Sequence, residues 1–591
     1  YSFTATEQRH QVIIDGNAGD SAIVTNSSWI NMGTVINGGN TYTVYNSDIG
    51  NAQLLIASEV IVHMSINLYS IAAGFGGFVI NGQGADDLSG FSVSSAGDVN
   101  GDGLADLIVG ARYSDPATGS NAGRSYVVFG KAGTTAIDLS AIDAGSGGFV
   151  INGQGASDLS GFSVSSAGDV NGDGLADLIV GARMSDPAAG SNAGRSYVVF
   201  GKISTTAINL SAIAAGSGGF VINGQGASDF SGFSVSSAGD VNGDGLADLI
   251  VGAYGGDPAA GSYAGRSYVV FGQTSTTVID LSAVAAGTGG FVINGQGVND
   301  QSGSSVSSAG DVNGDGLADL IVGARMSDPA VGSNAGRSYV VFGQTGTTAI
   351  NLSAIAAGTG GFVINGQCTL DRSGFSVSSA GDVNGDGLAD LIVGAHYSDP
   401  ATVSNAGRSY VVFGQTNTTA INLSAIAAGT GGGFVINGQN VSDQSGFSVS
   451  SAGDVNGDGL ADLIVGARYS DPAAGNDAGR SYVVFGKTGT AAIDLSAIVA
   501  GVGGFVIDGQ YTNDSSGISV SSAGDVNGDG LADLIVGANK SDPSTLLNNA
   551  GRSYVIFGST TGAFGQTAVD QLGTAGADTL TGSSIAETLV A

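Results

Sequence analysis

Seven times along this chain, three carboxylates and one amide fall within nine residues. The run GDVNGDGLADLIVGA recurs with its first acid at Asp98, Asp169, Asp240, Asp311, Asp382, Asp454 and Asp525. Position three is Asn100, Asn171, Asn242, Asn313, Asn384, Asn456 and Asn527. Position five is Asp102, Asp173, Asp244, Asp315, Asp386, Asp458 and Asp529, and position nine is Asp106, Asp177, Asp248, Asp319, Asp390, Asp462 and Asp533. Position seven is Leu104, Leu175, Leu246, Leu317, Leu388, Leu460 and Leu531, which offers a backbone carbonyl. Such an oxygen set wraps one hard cation, and the glycine at position six permits the turn that aims the carbonyl inward. Carboxylates this close repel one another unless a cation intervenes. Many anionic ligands on a flexible loop favour Ca2+ over Mg2+. A loop without His or thiolate disfavours zinc. The pattern predicts seven Ca2+ sites, one per repeat. The plainer alternative is a turn in which Asp and Asn bond local amides, and seven intact copies argue against it.

The elements that hold these loops are short. In the first repeat FSVSSAG (91–97), LADLIVGA (104–111), RSYVVFG (124–130) and GFVINGQ (148–154) read as strands, rich in Val, Ile, Phe and Tyr and bounded by turn residues. The helix–loop–helix calcium motif needs a Glu at position 12, where Val109 stands inside an apolar run, so the flanks are strands. The unalternating LIV run suits a strand buried on both faces. All seven prolines occupy one equivalent loop position, from Pro116 to Pro543.

The repeat interval is 71 residues, with one of 72. Seven four-strand units without helical periodicity predict an all-β chain, a seven-bladed β-propeller of four-stranded blades. GFVING appears first at 77–82, before any metal loop, and the seventh unit ends at SYVIFG without a fourth strand. The N-terminal run is therefore expected to complete the last blade and remove two sheet edges. The segment TTAIDLSAIAAGTG accounts for the unusual length of the repeat. Residues 1–70 read as a small β module, or the tail of a preceding domain, with Gly38-Gly39 as a hairpin turn. Residues 77–558 are the propeller and 559–572 a linker. Residues 573–591 pair GTAGADTLT with GSSIAETLV at an offset of nine, a truncated start of nonapeptide calcium-binding repeats. The chain reads as a fragment of a longer protein.

Composition narrows the function. The net charge of −33 argues against a nucleic-acid partner, and the seven loops hold 21 of the 50 acidic residues. One cysteine, Cys368, excludes an internal disulfide, which leaves metal ions to stiffen the loops. No apolar run is long enough for a membrane span.

GFSVSSAGDVNGDGLADLIVGA followed by GRSYVVFG closely resembles the FG-GAP repeat of the integrin α-subunit propeller. The resemblance covers residues 77–558. Two units depart from it at the Phe, with Ser304 and Ile518 in that place. It implies Ca2+ held through positions 1, 3, 5, 7 and 9, and a last blade closed by the first strand. The tail and N-terminal module resemble large secreted bacterial proteins of the RTX type, often adhesins.

Other recurrent residues have plainer readings. Arg124, Arg195, Arg266, Arg337, Arg408, Arg480 and Arg552 form a sevenfold set that either binds an anion or pairs with nearby Asp and loop carbonyls. Asp87 and its equivalents read as turn residues. Symmetry breaks after Gly-Ala, at Arg112, Arg183, Tyr254, Arg325, His396, Arg468 and Asn539, and in the loops of units five to seven. Together these features predict a non-catalytic, calcium-stabilised extracellular binding or adhesion module, secreted or on a bacterial cell surface, with a protein or glycan ligand or self-association. The alternatives are a structural spacer or surface-assembly subunit and, with least support, a domain attached to or acting as a secreted hydrolase. No nucleophile–base constellation stands out.

Overall fold

DLIVGA shows no polar–apolar alternation because its strand has no polar side to face. In the first blade Ser92–Gly97, Asp106–Ala111, Arg124–Val128 and Gly148–Asn152 pair antiparallel in that order. Leu107 and Val109 pack against Phe78, Ile80 and Val555 of the preceding blade. Ile108, on the other face, packs with Val164, Leu178 and Val180 of the following blade. Seven such cores lie between blades, and no blade has one of its own. Each fully buried aliphatic side chain contributes about 1.5–3 kcal/mol, and that gain exists only when a neighbouring blade is present.

The computed structural model describes residues 65–561, apart from Thr402, with full side chains, and the backbone of short strands on either side. Within those residues it is a seven-bladed propeller, as the repeats predict. Each sheet has five strands rather than four. The fifth comes from the segment that lengthens the repeat: Ile208–Asn209 of the second unit runs parallel to Gly148–Asn152 of the first. Two residues suffice because their task is to cover the open edge of the fourth strand.

A one-turn helix follows each of these strands, as in Leu139–Asp143 and Leu210–Ala214. The sequence gives no helical periodicity for it, since one turn supplies only two buried positions, here Leu139 and Ile142.

The ring closes through two separate additions. Gly77–Asn81 lies between Arg552–Ile556 and Ile137–Asp138, completing the seventh blade as expected. Ile66–Asn67 runs beside Gly504–Asp508 and covers the edge of the sixth. The propeller fold thus includes residues from 66 onward.

Before it, His10–Ile14, Ala52–Ala57, Asn40–Ser47 and Trp29–Asn37 form one sheet in that order, and Ser21–Val24 pairs with Ile61–Met64. Asn37 stands opposite Asn40, as a two-residue hairpin requires. Gly38 and Gly39 lie outside the described residues. So does most of 573–591, where only Leu589–Val590 is described, paired with Gln571–Leu572.

Candidate metal centre

The loop between the first two strands begins with a bulge. Asp106 opposes Gly97 while Leu107 opposes Ser95, so the ladder skips Ala96. A bulge re-aims the side chain beside it, and the Asp106 carboxylate is turned into the protein, fully buried. One of its oxygens accepts the Val99 amide at 3.0 Å and the other accepts the Gly130 amide at 2.8 Å. Burial, with Asp102 and Asp98 adding repulsion, pushes this carboxyl up to about 7. The same shift recurs at the equivalent aspartates, reaching about 8 at Asp462.

Asp98, at position one, accepts the amides of Gly101, Asp102 and Gly103 at 2.6–3.1 Å. Asn100 accepts the amide of Asp102, and Asp102 accepts that of Leu104. Gly101 and Gly103 have φ of +77° and +88°, which a side chain would resist. Among the described residues no three acidic, His or Cys side chains are gathered in metal-binding geometry. Asp98 and Asp102 turn toward backbone amides, while Asp106 holds two amides from farther along the chain. The donor set nevertheless fits a hard cation. Every side-chain donor at positions one, three, five and nine is an oxygen, and the Asp98 and Asp102 charges both reach Asp106.

The loops are not independent. The Asp98 carbonyl accepts the amide of Ala176 in the next loop at 3.0 Å, and the Asp525 carbonyl accepts that of Ala105 at 2.9 Å, closing a ring of seven such bonds. The first strands carry a second closed ring. Val164 donates its amide to the Ser92 hydroxyl at 3.1 Å, and the pattern repeats through Val93 and Ser519.

The sevenfold arginines tie strands together. Arg124 Nε donates to Asn152 on the adjacent strand at 3.0 Å, and its Nη1 donates to Gln83 of the neighbouring blade at 3.2 Å. The buried Tyr126 hydroxyl donates to the same Gln83 oxygen at 2.8 Å. Their partners are chiefly amides, with Asp pairing at Arg124–Asp143 and Arg480–Asp508. Asp87 is the turn residue expected: it accepts the Gly84 amide, and burial raises its pKa. In four other blades a serine hydroxyl also bonds this acid, as Ser185 bonds Asp158. Cys368 is free and exposed.

Comparison with known proteins agrees with this architecture. The FG-GAP repeat matches residues 89–128, 160–199, 231–270, 302–341, 373–412, 445–484 and 516–556, each covering the first three strands of a blade and its nine-residue acidic loop. The chain is 30% identical to integrin alpha-PS2 of Drosophila melanogaster over 226 residues, 37% of this chain and 14% of that protein. It is 31% identical to integrin alpha-IIb of Mus musculus over 165 residues, 27% of this chain and 14% of that one. A phosphatidylinositol-glycan-specific phospholipase D of Bos taurus is 32% identical over 174 residues, 28% of this chain and 19% of that enzyme. The matched stretches thus span less than a fifth of each relative. Residues 66–556 form an integrin α-like FG-GAP β-propeller, with its seven repeats between 89 and 556.

Proposed function

We propose that the propeller is a non-catalytic, calcium-stabilised binding module of adhesion type, displayed on or secreted from the cell as part of a larger protein. The observation that carries the reading is the nine-residue oxygen-donor loop, repeated seven times and linked loop to loop by backbone hydrogen bonds. Asp98, Asn100, Asp102, the Leu104 carbonyl and Asp106 would hold the ion in the first blade, with their equivalents in the other six. Bound Ca2+ would offset the burial and the added repulsion that raise Asp106 and fix the loop that carries the Ala176 contact. Similarity to integrin α subunits supports an adhesion role outside the cell, where calcium is plentiful.

The test is thermal melting in millimolar calcium and in excess chelator. A site filled at 100 times its Kd adds about 2.7 kcal/mol when the unfolded chain does not bind. We expect a large fall in Tm on chelation, and unchanged melting would overturn the reading. The near-identity of the repeats favours a second reading, a structural spacer. Calcium-dependent self-association with no ligand retained would move the assignment there.

A further inference from the structure

The aromatic residue before each innermost strand and the residue after each Gly-Ala meet at one end of the ring, near its axis. Ser92 pairs with Gly110 and Gly97 with Asp106, so Phe91 and Arg112 lie at the opposite end of the strand pair from the metal loop. On this axial face Phe91, Phe162 and Phe233 lie tilted against one another, with centroids 5.2 and 5.0 Å apart. Phe375 and Phe447 continue the pattern at 4.9 Å.

Guanidinium groups lie on these rings. Arg112 is 3.5 Å from the Phe91 centroid and 5.3 Å from that of Phe162. Arg183 is 4.0 Å from Phe162 and 5.4 Å from Phe233. Arg325 bridges Phe233 and Phe375 at 5.8 and 5.3 Å, across the blade where Ser304 replaces the Phe. Arg468 is 3.5 Å from Phe447. The arc opens at the seventh blade, where Ile518 and Asn539 stand in place of Phe and Arg.

Among the described residues these arginines have no acidic partner, although the chain carries 50 acidic residues against 17 basic ones. The Nε atoms of Arg112, Arg183 and Arg468 are buried without an acceptor among the described residues. Arg325 and Arg468 each donate one bond to a neutral glutamine, Gln301 and Gln444. The recurrent acids at this end of the blades are engaged elsewhere. Asp158 accepts Gly155 and Ser185, and Asp186 accepts the Asn192 amide at 2.6 Å. Burial lowers the Arg112 pKa to about 10, and Arg183 adds repulsion. Two further polar groups in the arc lack partners: His396 Nδ1 on a residue 2% exposed and Asn539 Oδ1 on one 4% exposed. The fold thus gathers guanidinium groups around one end of the axis, opposite the nine-residue acidic loops.

We propose that the axial face carrying Arg112, Arg183, Arg325 and Arg468 is an oxyanion-binding site that takes the sulfate or carboxylate groups of an acidic polysaccharide. Guanidinium forks match planar or tetrahedral oxyanions. Their spacing along an arc, rather than around one pocket, suits a charge repeated along a chain. Tyr113 and Tyr469, within 4.8 Å and 4.5 Å of Arg112 and Arg468, flank the arc with rings on which sugar faces stack. The proposal rests on the binding-module reading and names its ligand class.

The test is titration of the calcium-loaded protein with a sulfated hexasaccharide, with inorganic sulfate and with polyglutamate. The hexasaccharide is expected to bind saturably and more weakly as salt rises, with inorganic sulfate competing at higher concentration. Arg183→Gln with Arg468→Gln should weaken hexasaccharide binding at least 10-fold and leave calcium-dependent melting in place, which separates this outcome from failure of the calcium reading. Asn539→Asp, which adds a carboxylate at the open end of the arc, should weaken it without removing any arginine. No hexasaccharide binding by the wild type, equal affinity in both variants, or tighter binding of polyglutamate would overturn the proposal.

Discussion

The hydroxyl of Ser519 accepts the backbone amide of Val93 at 3.1 Å, across 426 residues of sequence. This bond is one of seven equivalents, yet it alone joins the seventh blade to the first. All the others link units that follow one another in the chain. The seam is therefore geometrically ordinary and topologically unique, since near it the fourth strand of the seventh blade, Gly77–Asn81, is held to its sheet by non-covalent contacts alone, with no chain connection to the strand beside it.

Phe78 and Phe291 occupy equivalent, fully buried positions on fourth strands. Truncation of either to Ala should cost about 3–5 kcal/mol. The kinetics should differ, because Phe78 lies on a strand not joined in sequence to the blade it completes. Phe78→Ala is expected to speed proteolysis near residues 66–81 well above the rate in Phe291→Ala. Equal cleavage rates would show that the seam opens no more readily than any other blade.

Asp177→Asn keeps an acceptor for the Val170 or Gly201 amide and removes a buried charge. In calcium the variant should melt lower than the wild type and bind one ion fewer. In chelator it should melt at or above the wild type, because the uncompensated carboxylate is gone. Titration of bound calcium with paired melting curves checks both signs.

Burial holds the carboxyls of Asp371, Asp443 and Asp514 at about 6, against an ordinary value of 3.8. A raised acid pKa favours the folded state while the group is protonated. Its contribution is complete below about 4 and lost as pH rises through about 6. Replacement of all three by Asn should therefore flatten part of the pH dependence. Relative to that variant, the wild type should lose stability between pH 4 and 6 at fixed calcium. Denaturant unfolding across this range measures the difference.

Blade three lacks the serine that bonds the recurrent acid elsewhere. Gly256 stands in its place, and Asp229 Oδ2 is buried without a partner. A Cβ at Gly256 would meet the flexible Arg266 side chain and the Ala253 carbonyl at 3.2 Å, a tight fit that a small shift relieves. Gly256→Ser is expected to stabilise the protein by about 1 kcal/mol through the restored hydrogen bond. A drop in stability would show that the close contacts outweigh it.

The repeat made the propeller, the strand order within each blade and the closing GFVING run legible before any coordinates. It did so because each blade must bury both faces, and that requirement leaves its mark on every copy of DLIVGA. The fifth strand left no such mark. Ile208–Asn209 is two residues long and its burial is half complete, so no periodicity can form. The nine-residue acidic loops were legible as residue types and spacing, while the hydrogen-bond partners of Asp106 were not, because Gly130 lies 24 residues away. The axial arc was visible only as a broken column of letters. That Arg325 reaches across the place left by Ser304 depends on side-chain length and blade spacing, which a single sequence does not state.

The closing strand also sets a clock. Asn81 is bonded by Arg552, 471 residues later. At about 5–20 residues per second of synthesis, the N-terminal strand waits roughly half a minute to a minute and a half for its partner. Throughout that interval Phe78 and Ile80 can pack on the first blade but lack Ile535 and Val555 of the seventh, and each unfinished blade offers its own edge to any other chain in the same state. On the calcium reading proposed above, ion binding that follows completion of all seven units would let the ring form once and in one place.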